Sequence, residues 1–135
     1  MDLLADTTFL IDLWREQRAP GSATSFAKRS ADLALGLPWV VVGEFLSGGV
    51  LAGQDGELLD AFVQRYSIIH STDRIVNSYA QIFASVRKER ISMGPNDLWI
   101  AACADALDLP LVTRNAADFE VVSSIRVLSY KDGGL

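Results

Sequence analysis

Cysteine and histidine are almost absent from this chain of 135 residues, which contains one of each. A single cysteine, Cys103, permits no disulfide within the chain and no zinc site built from thiolates. Its apolar neighbours predict a small buried residue on a helix. A single histidine, His70, excludes an acid–base mechanism that needs two imidazole rings, and we interpret it as a structural residue at a strand end.

Long hydrophobic runs are also missing. No apolar stretch approaches the ~20 residues that cross a membrane as a helix. The first residues lack the basic start and the extended apolar core of a secretory signal peptide. Together with the lone cysteine, these features predict a cytoplasmic protein without a membrane partner. The length, and a composition that is 50% hydrophobic, favour one self-sufficient domain over residues 1–135.

Basic residues are fewer than acidic ones, with 12 against 17, and the formal net charge is −5. Proteins that bind nucleic acids through the phosphates usually carry the opposite balance. A glycine-rich phosphate-binding loop is missing as well. A nucleic-acid substrate is therefore expected only if bound cations offset part of the negative charge.

Short apolar runs alternate with longer stretches in which apolar residues recur at helical spacing. Strands are predicted at residues 3–5, 66–70, 110–113 and 126–130, and helices near 9–14, 24–35, 58–63, 75–86 and 97–107. Residues 37–46 are ambiguous, because their β-branched run favours a strand while Pro38 suits the first turn of a helix. Strands separated by helices predict a three-layer α/β/α fold with a central parallel sheet.

Four acidic residues occupy positions from which such a fold can bring them to one crevice. Ligands of parallel α/β proteins bind beyond the carboxyl ends of the strands, where the strand order reverses. Asp6 follows the first strand, and Asp118 comes shortly after the strand at 110–113. Asp97 lies in the first turn of a helix, and Glu44 lies among apolar residues, where a carboxylate needs a partner or a bound cation.

Each of these acids also has a purely structural interpretation. Asp6 suits a helix cap, Asp97 suits an electrostatic partner of a helix N-terminus, and Asp118 suits a turn. Glu44 is the hardest to explain in this way. Other acids are expected to be solvated: Asp12, Glu16, Asp55, Glu57, Asp60, Glu89 and Asp105.

Converging carboxylates repel one another unless a cation lies among them. A ligand set made only of oxygen favours Mg²⁺ or Mn²⁺ over zinc. Such ions activate a water, bridge a phosphate and stabilise the leaving oxygen when a phosphodiester is cleaved. Taken together, the four acids predict a metal-dependent hydrolase.

At these positions the chain resembles the PIN-domain nucleases, and among them the VapC-like toxins of bacterial toxin–antitoxin pairs. The matching segments are residues 5–8, 43–46, 96–102 and 111–119, in the family's order. The resemblance covers essentially the whole chain. It implies a PIN-like parallel sheet, and it places Glu44 on a helix that begins near Pro38.

The resemblance also implies a function and a site. The expected activity is endoribonucleolytic cleavage of RNA that depends on Mg²⁺ or Mn²⁺, with a cognate antitoxin as the inhibitor. The residues implied as catalytic and metal-binding are Asp6, Glu44, Asp97 and Asp118. Supporting roles fall to Thr7, Thr113 and Asn115, with Arg114 as a candidate RNA contact. The chain departs from the family in the very apolar residues 39–43, which narrow the substrate opening or tighten the packing.

A homodimer is expected from the same resemblance and from aromatic residues that can contribute to an apolar surface, namely Trp14, Trp39, Phe45 and Phe62. Two alternative functions stay open, and the residues disfavour a third, the phosphatase. A PIN nuclease that processes RNA without a toxin role differs only in its genetic context. An aspartyl-phosphate phosphatase needs a second acid two residues after Asp6, where this chain has Thr8. A non-catalytic interaction module with a solvated acidic cleft would not bind a metal.

Overall fold

The computed structural model describes residues 1–131 and contains a five-stranded sheet whose neighbouring strands are all parallel. The strands are β1 (Leu3–Ala5), β2 (Leu35–Pro38), β3 (Ser67–Ile69), β4 (Leu111–Thr113) and β5 (Val127–Ser129). The helices are α1 (Thr7–Arg15), α2 (Ser22–Arg29), α3 (Trp39–Leu51), α4 (Gly56–Val63), α5 (Asp73–Lys88), α6 (Pro95–Leu107) and α7 (Ala116–Glu120). A central parallel sheet flanked by helices confirms the predicted α/β fold class.

The strand order β3-β2-β1-β4-β5 places β1 in the middle of the sheet. From β1 the chain adds β2 and β3 on one side, and later adds β4 and β5 on the other. The order therefore reverses between β1 and β4, which pair with Ala5 opposite Val112. A crevice opens beyond the carboxyl ends of the strands at such a reversal. Asp6 and Thr113 lie at these ends.

Residues 24–35, predicted as one helix, belong to two elements, and this prediction was wrong. The helix α2 ends at Arg29, and the Ser30 hydroxyl donates to the Phe26 carbonyl at this end. Five residues after Ser30, Leu35 begins β2, where it pairs with Leu3. Apolar spacing alone does not separate a helix end from a buried strand, and the pairing with β1 decides it.

The ambiguous segment at residues 37–46 divides at Pro38. This proline is the last residue of β2, where it lies opposite Ile69, and it directly precedes α3. Its fixed φ and missing N–H are tolerated at a strand end and before a helix. The helix expected from the resemblance therefore begins at Trp39 and carries Glu44 in its second turn.

Aromatic rings join the helices around the sheet. Phe45 and Phe62 are buried, which corrects their expected contribution to the protein surface, and both pack against the half-buried Trp14. Cys103 is buried on α6 as predicted, and burial raises the pKa of its thiol to about 12. His70 is exposed just after β3. Across residues 1–131, no helix is long and apolar enough to span a membrane.

Candidate active site

Asp6 lies at the carboxyl end of β1 and is almost completely buried, with 3% of its surface exposed. One carboxylate oxygen, Oδ1, accepts hydrogen bonds from the Phe9 backbone N–H at 3.1 Å and from the Thr8 hydroxyl at 2.7 Å. The other, Oδ2, accepts from the Thr113 hydroxyl at 2.5 Å. Burial raises the pKa of Asp6, and these hydrogen bonds oppose the rise. The capping interpretation of Asp6 is thus correct, and it leaves Oδ2 turned toward β4.

Thr113 is fully buried at the end of β4, where its hydroxyl links Asp6 to the following turn. The same Oγ1 that donates to Asp6 accepts from the Asn115 backbone N–H at 2.9 Å. Asn115 then precedes α7, and no hydrogen bond from its side chain caps that helix. The structure therefore places Thr113 beside Asp6 as a positioning hydroxyl, while Asn115 takes part through its backbone.

Glu44 is half-buried on α3, and Thr7 begins α1. The Thr7 hydroxyl donates to Glu44 Oε1 at 2.7 Å, across 37 residues of sequence. This bond orients the carboxylate and involves only one of its two oxygens. Thr7, the first residue of α1, thus orients Glu44, and the residue before it, Asp6, caps the same helix.

Asp97 is the third residue of α6 and is half-buried. Burial raises the pKa of its carboxyl group, and the charges of Glu44, Asp6 and Asp118 raise it further. Within the described part of the chain, no hydrogen-bond donor reaches this carboxylate. The surroundings of Asp97 are therefore dominated by three other acids, with only the helix N-terminus to offset them.

Asp118 lies in the first turn of α7 and is exposed. The structure thus brings the other three predicted acids within electrostatic reach of Asp97. They do not form a closed cage: among residues 1–131, no three or more Asp, Glu, His or Cys side chains are already arranged to hold a metal ion. The donors are oxygens only, a set that fits a hard divalent cation.

Asp12 was expected to be solvated, and the structure corrects this. It is 7% exposed, and its carboxylate accepts from the Tyr130 hydroxyl at 2.5 Å and from Arg114 Nη1 at 3.2 and 3.3 Å. Burial and the Asp12 carboxylate raise the pKa of Tyr130, so this hydroxyl keeps its proton. The helical spacing of Phe9 and Asp12 places both on one face of α1, a signal that sequence analysis missed.

Arg114, the candidate RNA contact, has its guanidinium group in the ion pair with Asp12, and its side chain is 40% exposed. Its backbone N–H donates to the Thr8 hydroxyl at 3.1 Å, and Thr8 in turn donates to Asp6. Arg114 is therefore connected to Asp6 through the Thr8 hydroxyl. Thr8 is a further residue of this network that sequence analysis did not single out.

Glu16, also expected to be solvated, is half-buried and holds the start of α2. Its carboxylate accepts from the backbone N–H groups of Gly21 at 2.7 Å, Ala23 at 3.3 Å and Thr24 at 2.9 Å. Burial acts to raise the pKa of Glu16, but the hydrogen bonds outweigh it and the pKa is lowered. Glu16 is thus a structural residue, and the prediction that it is solvated was wrong.

Comparison with known proteins identifies the family. A PIN domain family model matches residues 3–124. A ribonuclease VapC1 from Methanocaldococcus jannaschii is 25% identical over 121 residues, covering 87% of this chain and 79% of that protein. A ribonuclease VapC from Rickettsia bellii is 41% identical over 51 residues, which is 38% of each protein. The parallel sheet and the family match define the class: this chain belongs to the PIN domain family.

Solved structures show the same fold. VapBC-1 from nontypeable Haemophilus influenzae superposes with a TM-score of 0.80 at 22% identity, covering 97% of this chain and 99% of that one. DNA-bound VapBC from Salmonella typhimurium superposes with a TM-score of 0.82 at 20% identity, covering 96% and 98% of the two chains. At such identities the likeness establishes the architecture, and the site must be argued from its own residues.

Proposed function

We propose that this protein is an endoribonuclease that depends on Mg²⁺ or Mn²⁺ and uses Asp6, Glu44, Asp97 and Asp118. The observation that carries the proposal is the state of Asp97. Among residues 1–131 this half-buried carboxylate accepts no hydrogen bond, and the charges of three other acids act on it, which is unfavourable unless a cation joins them. Oxygen donors at the carboxyl end of a parallel sheet supply the place and the chemistry for such an ion.

The residues have distinct tasks in this proposal. Asp6 Oδ2 and the second oxygen of Glu44 provide ligands from carboxylates that Thr113 and Thr7 hold in place. Asp97 and Asp118 complete the set from the first turns of two helices. A divalent ion held by these residues would lower the pKa of a bound water and would offset the negative charge of the phosphate. The positive charge of the ion would also reduce the electrostatic repulsion between this acidic protein and the phosphates of RNA.

RNA is the proposed substrate because the relatives that match this chain are named ribonucleases VapC. The toxin role is proposed because the structural neighbours are VapBC complexes from Haemophilus influenzae and Salmonella typhimurium. We propose accordingly that an antitoxin inhibits this protein, that it acts in the cytoplasm and that it forms a homodimer. Light scattering at micromolar concentration tests the homodimer, and a monomer would contradict it.

Metal dependence is the direct test of this function. Chelation with EDTA should abolish cleavage of a single-stranded RNA, and Mg²⁺ or Mn²⁺ should restore it. The same ions should raise the melting temperature of the EDTA-treated protein, because a ligand that binds only the folded state stabilises it. Full cleavage in the presence of chelator would refute the proposal. Zn²⁺ at equal concentration is the control for a non-specific effect of divalent charge.

A surface suited to the antitoxin runs between α1 and α4. A groove of about 660 Å³ is lined by apolar residues, among them Trp14, Leu58 and Phe62, and by the basic residues Arg15, Arg18 and Arg65. A lining that combines apolar and basic side chains fits an amphipathic helix whose polar face is acidic. We propose that a helix of the antitoxin occupies this groove.

Leu58→Asp should prevent capture of the antitoxin, because it places a negative charge among the apolar residues that line the groove. The measurement is co-purification with the product of the adjacent small gene after co-expression. Val76→Asp is the matched control, since Val76 is also an exposed apolar residue but lies on α5. Both variants should keep the fold. Equal capture by wild type and Leu58→Asp would rule out this groove.

A further inference from the structure

Trp39 and Glu44 line the same open hollow on the protein surface. This hollow has a volume of about 500 Å³ and is lined by Trp39, Val40, Gly43, Glu44, Ser47 and Asn96. Trp39 is the first residue of α3 and Glu44 is on its second turn. Trp39 therefore lines the same hollow as Glu44, one of the acids proposed to hold the metal.

The Trp39 ring packs against a row of other aromatic side chains. Trp99 meets it edge-on at 5.6 Å between ring centroids, and Tyr79 stacks on Trp99 at 3.9 Å. Trp99 lies on α6, two residues after Asp97. The two helices that carry Glu44 and Asp97 thus also carry the two tryptophans, which fixes the ring relative to the acids.

The chemistry of the hollow suits a nucleobase better than a phosphate. Its lining contains no basic residue. It offers the half-buried Trp39 ring and the exposed Asn96 amide, which can both donate and accept a hydrogen bond at a base edge. Gly43 adds no side chain to the hollow, and the space beside its backbone is free, since a Cβ there would meet no atom within 4 Å.

We propose that this hollow is a nucleobase subsite, in which an unpaired base next to the cleaved phosphodiester stacks on Trp39 with its edge at Asn96. The proposal rests on the proposed ribonuclease function and adds that the substrate is single-stranded at this position. A base within a duplex does not present a free face, whereas an unpaired base does. Stacking of one base on an aromatic side chain contributes roughly 5- to 150-fold to affinity.

Abasic substitution combined with Trp39→Ala tests the subsite. A single-stranded RNA carries one abasic nucleotide, moved in turn through the positions around the cleaved bond. With wild-type protein, one position should raise KM by about tenfold. With Trp39→Ala, KM should already be raised for intact RNA, and the abasic nucleotide should add little. Trp39→Phe, which keeps a ring, should restore most of the coupling.

Fluorescence anisotropy of the same RNAs in EDTA gives a second measurement that needs no cleavage. Trp39 and one base are coupled if the abasic nucleotide weakens binding to wild type and has little effect on binding to Trp39→Ala. Such coupling without metal-dependent cleavage would support the subsite and reject the nuclease. Cleavage by wild type with equal abasic penalties in wild type and Trp39→Ala would reject the subsite and keep the nuclease.

The competing explanation is that this aromatic face contacts a second subunit. Phe83 stacks on Tyr79 at the far end of the row and is 37% exposed, so Phe83→Ala is the matched control. Phe83→Ala should leave the coupling unchanged. If Trp39→Ala and Phe83→Ala both dissociate an oligomer and weaken RNA binding equally, the face is a subunit contact and the proposal is wrong.

Discussion

Asp97→Asn is expected to reduce RNA cleavage by more than the roughly 10- to 100-fold that loss of an outer-shell partner of a metal costs. The substitution keeps the shape of the side chain and removes one negative charge and one strong ligand for a hard cation. Asparagine is compatible with the first turn of a helix, so α6 should still form. If Asp97 only complemented the helix dipole, the change would cost at most about 1 kcal/mol of stability and leave cleavage intact.

The same variant should change how the metal-free protein responds to pH. Burial and the neighbouring acids raise the pKa of Asp97 in the folded protein above that of an ordinary aspartate. The folded state therefore holds this proton more tightly than the unfolded chain does. Stability falls as the pH rises from the unfolded pKa through the folded pKa, and the loss is complete above it. Asp97→Asn should remove part of this loss and melt at a higher temperature than wild type near neutral pH in EDTA.

Single-turnover cleavage and thermal melts in EDTA measure these two effects together. Asp105→Asn is the matched control, because Asp105 lies on the same helix, eight residues further along. It should cleave at the wild-type rate. Near-normal cleavage by Asp97→Asn would remove Asp97 from the site and with it the observation on which the proposed function depends.

Asp12→Ala is expected to have the largest effect on stability, with a loss of about 2–3 kcal/mol in the free energy of unfolding. The carboxylate is the shared acceptor of Tyr130 and Arg114. Its removal leaves the Tyr130 hydroxyl with only the Thr8 carbonyl at 3.3 Å, and it leaves a partly buried guanidinium group without its counter-charge. Cleavage should also fall, because Arg114 and Thr8 connect this network to Asp6.

Urea unfolding of Asp12→Ala, Tyr130→Phe and the double variant measures this network. The two single losses should not add, because both remove the same hydrogen bond. Asp60→Ala, at an exposed acid on α4, should change stability by no more than about 0.5 kcal/mol. Additive losses, or an Asp12→Ala variant as stable as wild type, would show that the network does not stabilise the fold.

Several features could be read from the sequence because they depend on neighbouring residues. The central strand, the cap at Asp6 and the helix start before Asp97 follow from short apolar runs, a capping residue and a proline in the first turn. The alternation of strands and helices predicts the parallel sheet, and the parallel sheet predicts which end carries the acids. The local pattern also explains why Cys103 is buried.

Other features were decided by contacts between distant parts of the chain. Residues 35–38 form a strand because β1 and β3 pair with them on either side. Asp12 is buried because Tyr130 and Arg114, more than 100 residues away, cover that face of α1. Trp39 lines the same hollow as Glu44, and its ring packs edge-on against Trp99 of α6, about 60 residues further along the chain. Periodicity identifies the faces of a helix, but only tertiary packing determines which face is covered and what its polar groups contact.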